Sequence, residues 1–161
     1  MTQLKIGDKA PSIELPASDE SSFKLESLKG KRVVVYFYPK DSTPGCTIEA
    51  KDFRDLLPRF HDLNTEVIGI SKDTLRSHSK FIDSCELPFL LLSDKDNDVC
   101  ERYGVWQQKA FMGRKFMGIV RSTFLIDEKG NIANIWYNCS VPGHVAEVLK
   151  YIEEKPSEKI A

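Results

Sequence analysis

The stretch Arg32-Val-Val-Val-Tyr-Phe-Tyr38, followed at once by Pro39-Lys-Asp-Ser-Thr43-Pro-Gly-Cys46, decides how the rest of the chain is read. Its first half is apolar without alternation and rich in β-branched and aromatic residues, which reads as a strand buried on both faces. A loop over residues 39–45 follows. Beyond it Phe53, Leu56, Leu57, Phe60 and Leu63 recur at steps of three and four, the spacing of an amphipathic helix. Pro58 falls inside that pattern and predicts a kink or a restart. Cys46 thus lies in the first turn of the helix, where unpaired backbone N–H groups point outward and the dipole is positive. Thiolate is the reactive form of cysteine, and this placement favours it. Taken alone, the same turn also suits an inert core cysteine.

Reading outward, residues 66–71 form the next buried strand, 71–85 a helix, and 96–103 a shorter helix ended by Gly104. Residues 121–126 and 132–137 flank Asp127-Glu-Lys-Gly-Asn131, a hairpin signal. Val145, Val148, Leu149 and Ile152 give a closing amphipathic helix. Short β-α connections favour parallel strands, and the late hairpin adds antiparallel ones. This is the order of an α/β, thioredoxin-like fold: a mixed central sheet with helices on both faces. One domain over residues 1–161 is expected, with 155–161 as a loose tail. A doubly wound nucleotide binder would want G-x-G-x-x-G after its first strand, and there is none.

The 23 basic and 24 acidic residues nearly cancel, so no overall field draws in nucleic acid or a membrane surface. No apolar run reaches the length of a signal peptide or a bilayer span, and a cytoplasmic protein is expected. Cys46, Cys85, Cys100 and Cys139 form no C-x-x-C pair, which removes the zinc-knuckle and dithiol motifs. His61, His78 and His144 lack metal-ligand spacing and read as surface or interface residues. Asp94, Asp96 and Asp98 lack the Gly and terminal Glu of a calcium loop. No metal or other cofactor is expected. Residues 109–118 mix basic and aromatic side chains in what reads as one loop. The neutral balance argues against stacking on single-stranded nucleic acid there.

The turn before Cys46 resembles the peroxiredoxin active-site pattern P-x-x-x-[TS]-x-x-C, and the chain is similar to the Q-type, or bacterioferritin comigratory, group. The likeness runs from Ile6 to Ile152 through Gly7-Asp-Lys-Ala-Pro11, residues 36–46, Leu87-Pro-Phe, Leu91-Leu-Ser-Asp94, Gly104-Val-Trp106 and residues 117–126. The resemblance implies a thiol peroxidase for hydrogen peroxide and organic hydroperoxides, recycled by thioredoxin or a similar dithiol. It implies an antioxidant role and a monomer. Cys46 is then the peroxidatic cysteine, Thr43 holds the peroxide through its hydroxyl, and Pro39 shields the thiolate. Arg121 supplies positive charge beside the sulfur, and Glu49, three residues after Cys46, orients the guanidinium. By residue type alone, Arg121 reads as a charge at a strand edge. The 109–118 segment is placed near the active-site mouth.

Many Q-type members carry a resolving cysteine five residues after the first; here that position is Lys51, which excludes the local disulfide. Cys85 lies near the other resolving position, about one helical turn late. Three routes stay open: Cys85 resolves the sulfenic acid, Cys100 or Cys139 does, or an outside thiol attacks Cys46. Cys100 reads as a helix-face core residue and Cys139 as more exposed. From a different class, the chain could be a redox-sensing or chaperone-like binding protein that uses Cys46 as a switch.

Overall fold

The computed structural model describes residues 3–155, and 156–161 of the expected tail lie outside them. Strand β3 (Arg32–Phe37) occupies the centre of a five-stranded sheet because both of its faces are apolar, and all six residues are buried. Beside it run β4 (Thr65–Ser71) and β5 (Leu91–Ser93) in parallel, in the order β5-β4-β3-β8-β9. On its other side β8 (Ser122–Ile126) and β9 (Ile132–Trp136) are antiparallel. The mixed sheet of a thioredoxin-like fold is therefore present.

Alternation along β3 builds two cores. Val33, Val35 and Phe37 join Ile68, Ile70 and Phe124 against one layer. That layer contains the hairpin β1 (Glu14–Pro16) and β2 (Ser22–Lys24), a 3-10 turn (Leu25–Leu28), and helix α3 (Val99–Arg102). Val34 and Tyr36, with Tyr38 just beyond, face α1 (Pro44–Asp62), α2 (Leu75–Cys85) and α4 (His144–Glu153). Full burial of such side chains contributes roughly 1.5–3 kcal/mol each. Tyr36 stacks on Phe53 of α1, with ring centroids 4.5 Å apart. A Cβ at Gly69 on β4 would lie 2.8 Å from the Tyr36 ring, so glycine there lets the ring lie flat between sheet and helix.

Several elements differ from the sequence reading. Helix α1 runs without restart through Pro58 to Asp62. Phe53, Leu57 and Phe60 are buried on its one face, and their packing offsets the hydrogen bond that proline cannot donate. The 109–118 segment is not a loop but part of a hairpin, β6 (Trp106–Phe111) and β7 (Arg114–Ile119), turning at Met112 and Gly113 with φ of 50° and 80°. Two positive φ values are what a two-residue hairpin turn requires. The short strands β1, β2 and β5 carried too little periodicity to be read. Lys155, placed in the loose tail by the sequence, accepts a hydrogen bond from the Arg32 guanidinium through its carbonyl at 3.0 Å. Among the described residues no helix is long and apolar enough to cross a membrane.

Candidate active site

The Cys46 turn is built by its own backbone. Ser42 adopts φ of 63°, reversing the chain, and Thr43 is the N-cap with extended φ and ψ of −81° and 156°. Pro44 opens the helix, where its missing N–H costs nothing. The first helical bond runs from Thr47 N–H to the Thr43 carbonyl at 2.9 Å. The amides of Gly45 and Cys46 therefore precede the ladder, at the positive end of the helix. Cys46 is 1% exposed. The Thr43 hydroxyl donates to the Lys40 carbonyl at 2.8 Å, so its lone pairs, not its hydrogen, are left to a ligand. Pro39, half-buried, follows Tyr38 at the end of the central strand.

Arg121 was expected as the first residue of a strand; it stands one residue before β8. Its Nη2 lies 3.4 Å from the Cys46 sulfur, and its Nη1 donates to Glu49 Oε1 at 2.6 Å. Glu49 sits one helical turn after Cys46, and its side chain is fully buried. Burial works against the Arg121 charge, but Glu49 and Cys46 outweigh it and hold the guanidinium above its ordinary value. Burial pushes the Glu49 carboxyl up to about 7, against the pull of Arg121. Glu49 Oε2 and the Tyr36 hydroxyl have no hydrogen-bond partner among the described residues. Of the five residues singled out from the sequence, Cys46, Arg121 and Glu49 are linked in a chain, Thr43 caps the same helix, and Pro39 lies five residues before it.

The other cysteines differ from Cys46 and from one another. All four are free thiols. Cys85 is the last residue of α2, buried in the same core as Cys46, and its carbonyl accepts from Arg54 Nη1 at 2.7 Å. Cys100 is buried in α3, in the opposite core, and burial together with Asp94 pushes its thiol far up. Cys139 is half-buried, and burial pushes its thiol up to about 11. Its sulfur lies 3.4 Å from the Arg121 carbonyl and 3.6 Å from His144 Nε2.

The histidine reading needs correction. His78 is fully buried and His144 is 3% exposed. His144 opens α4, with Nε2 at 2.7 Å from the Thr123 hydroxyl, and burial pushes its pKa down. Cys139, His144 and Glu49 bring ligand-type atoms within 4.8 Å of one another, and so do Asp41, Asp73 and His78. Linear spacing could not reveal these groupings, because each joins residues from separate elements. Lys109 on β6 was also missed. Burial lowers its pKa, Arg121 acts in the same sense, and Cys46 opposes both.

The AhpC/TSA family model matches residues 6–135. Peroxiredoxin Bcp of Bacillus subtilis is 46% identical over 97% of this chain and 99% of its own length. Peroxiredoxin Bcp of Escherichia coli is 42% identical over 96% and 99%. Among solved structures, a cysteine-to-serine mutant of PrxQ from Xylella fastidiosa superposes with a TM-score of 0.90 at 35% identity, covering 95% of this chain and 98% of that one. The bacterioferritin comigratory protein of Xanthomonas campestris, studied for alkyl peroxide reduction, gives 0.84 at 34% identity, covering 95% and 98%. With a family match over most of its length and relatives this similar, the chain belongs to the AhpC/TSA family, as a peroxiredoxin of the Bcp/PrxQ kind and hence a thiol-dependent peroxidase.

Proposed function

We propose that Cys46 is the peroxidatic cysteine and that this site reduces hydrogen peroxide and organic hydroperoxides. The observation that carries the reading is Arg121, with one nitrogen 3.4 Å from the Cys46 sulfur and the other anchored on buried Glu49. The Cys46 thiolate attacks the distal oxygen of ROOH. An S–O bond forms as the O–O bond breaks, and the electron pair leaves on RO⁻, which takes up a proton to become water or alcohol. The sulfur is oxidised to sulfenic acid.

Charge moves from sulfur toward the leaving oxygen, so donors that reach both atoms stabilise the transition state. Arg121 and the amides of Gly45 and Cys46 fill that role. Thr43, its hydrogen committed to Lys40, accepts from the peroxide O–H and so holds the substrate end-on. Pro39 screens the sulfur from bulk water.

A dithiol of the thioredoxin class recycles the sulfenic acid, directly or after Cys85 has formed a disulfide with Cys46 and released water. The alkyl peroxide work on the Xanthomonas campestris relative supports organic hydroperoxides as substrates. The Q-type resemblance supports a monomer. Size exclusion with light scattering tests this.

The test of function is peroxide consumption with thioredoxin, thioredoxin reductase and NADPH. Multiple turnovers that vanish in Cys46→Ser support the reading. A protein that oxidises once and stops is a redox switch instead.

A further inference from the structure

Asp41 lies in the loop that delivers Cys46, yet nothing in the peroxide chemistry uses it. Its carboxyl is buried, accepts from two side-chain hydroxyls and faces a ring nitrogen of His78. Tyr38 Oη reaches Oδ1 at 2.5 Å, Ser77 Oγ reaches Oδ2 at 2.8 Å, and His78 Nδ1 meets Oδ2 at 2.7 Å. The other ring nitrogen of His78 lies 2.9 Å from the Leu92 carbonyl on β5. Asp73 completes the knot: its Oδ2 accepts the Asp41 backbone N–H at 2.8 Å and the Ser71 hydroxyl at 2.7 Å.

The proton count follows from this geometry. A carbonyl accepts only, so His78 Nε2 carries a hydrogen. Nδ1 and Oδ2 at 2.7 Å need a second hydrogen between them, whichever atom holds it. Without it a lone pair would face a carboxylate in a site where His78 is 0% exposed. The titratable groups around the ring are Asp41, Asp73 and Tyr38, and the neutral contacts are Ser77 and the Leu92 carbonyl.

We propose that the proton-bridged Asp41–His78 pair is a positioning device for the peroxidase reaction, clamping the Cys46 loop onto α2 and β5 so that Thr43 and the helix start face the sulfur. The pair ties together the end of β3, residues 39–45, the first turns of α2 and the middle of β5. It also fixes the helix whose last residue is Cys85, seven residues after His78. A buried network with every member satisfied holds a single arrangement, and loss of one member leaves the others orphaned. The inference rests on the reading of Cys46 as the reacting sulfur.

The experiment uses the full-length protein in three forms: native, His78→Gln and His78→Phe. Tyr103→Phe, in the opposite core, serves as a matched loss of a buried hydroxyl. Quenched-flow thiol labelling gives the rate of Cys46 oxidation by hydrogen peroxide, and hydrogen exchange reports residues 40–47 and 75–86. Nitrogen NMR of the native protein reads the His78 ring.

Both His78 ring nitrogens are expected to face a shared or bound proton. Oxidation slows tenfold or more in His78→Phe and by an intermediate factor in His78→Gln, which keeps one donor. Exchange rises in those two segments and not in β8 or α4, while Tyr103→Phe matches the native rate. Native-like oxidation in both His78 variants, faster exchange spread over the whole domain, or a His78 ring with one bare nitrogen overturns the proposal. If the variants fail to fold, the NMR result on the native protein still decides. If native Cys46 itself resists one equivalent of peroxide, the proposed function fails, a distinct result.

Discussion

Arg121 divides its guanidinium between two residues of one helix turn, 2.6 Å from Glu49 Oε1 and 3.4 Å from the sulfur of Cys46. One side chain from the residue just before β8 is thus held in place by a buried carboxylate and turned toward the reacting atom. A fixed donor costs little reorganisation as charge shifts in the transition state. Replacing Arg121 with Met should leave the fold intact and slow Cys46 oxidation by about 3 kcal/mol, roughly a hundredfold. Arg121→Lys should recover part of that, because one ammonium cannot serve both partners. Stopped-flow oxidation with hydrogen peroxide checks both.

Glu49 makes the site sensitive to pH in a stated direction. Its carboxyl is pushed to about 7 by burial, above the ordinary 4.5. Between those values the folded chain binds more protons than the unfolded one, so this group's contribution to stability is present below pH 4.5 and lost as pH rises through 7. Glu49→Gln should flatten that decline, seen by urea unfolding at pH 5 and pH 8. The same variant should oxidise more slowly at pH 8, since Arg121 loses its charged anchor. Unchanged pH dependence of stability would contradict the role of the buried carboxylate.

The Thr43 hydroxyl donates to Lys40 and therefore offers a substrate only its lone pairs. Thr43→Ser keeps that arrangement and should react within a fewfold of the native protein. Thr43→Val removes the acceptor and should lose on the order of tenfold, the scale of leaving a buried donor without its partner. Equal rates for the two variants would remove Thr43 from the reaction.

Arg54 on α1 holds the carbonyl of Cys85 at 2.7 Å and so pins the end of α2. If Cys85 resolves Cys46, the helix end must release first. Arg54→Met should then speed disulfide formation severalfold while leaving the initial oxidation rate unchanged. Single-turnover kinetics followed by mass analysis separates the steps. A slower or unaltered second step would favour an outside thiol.

The core of this fold was legible because burial writes itself into composition. Residues 32–38 are apolar at every position, as a strand covered on both sides must be, and α1 and α4 show plain helical spacing. Short edge strands such as β5, three residues long, carry no period to read. Hairpin β6–β7 was hidden because Phe111 and Met112 at its tip and Phe116 and Met117 along β7 are exposed and apolar, against the usual alternation.

At the site, Pro39, Thr43 and Cys46 stand in one local motif, while their roles and that of Glu49 came from the family resemblance. Arg121 needed the family resemblance, because 72 residues separate it from Glu49. His78 and His144 were misjudged for the same reason. Their partners Asp41, Leu92, Thr123 and Cys139 come from other elements, and nothing local marks a buried imidazole.

The most direct measurement is peptide mass mapping after one equivalent of hydrogen peroxide, with free thiols blocked at once, on the native protein and on Cys85→Ser. Cys46 should be the residue oxidised in both, as sulfenic acid in the variant and as sulfenic acid or its disulfide in the native chain. Cys46 left reduced while Cys85, Cys100 or Cys139 takes the oxidation would contradict the account.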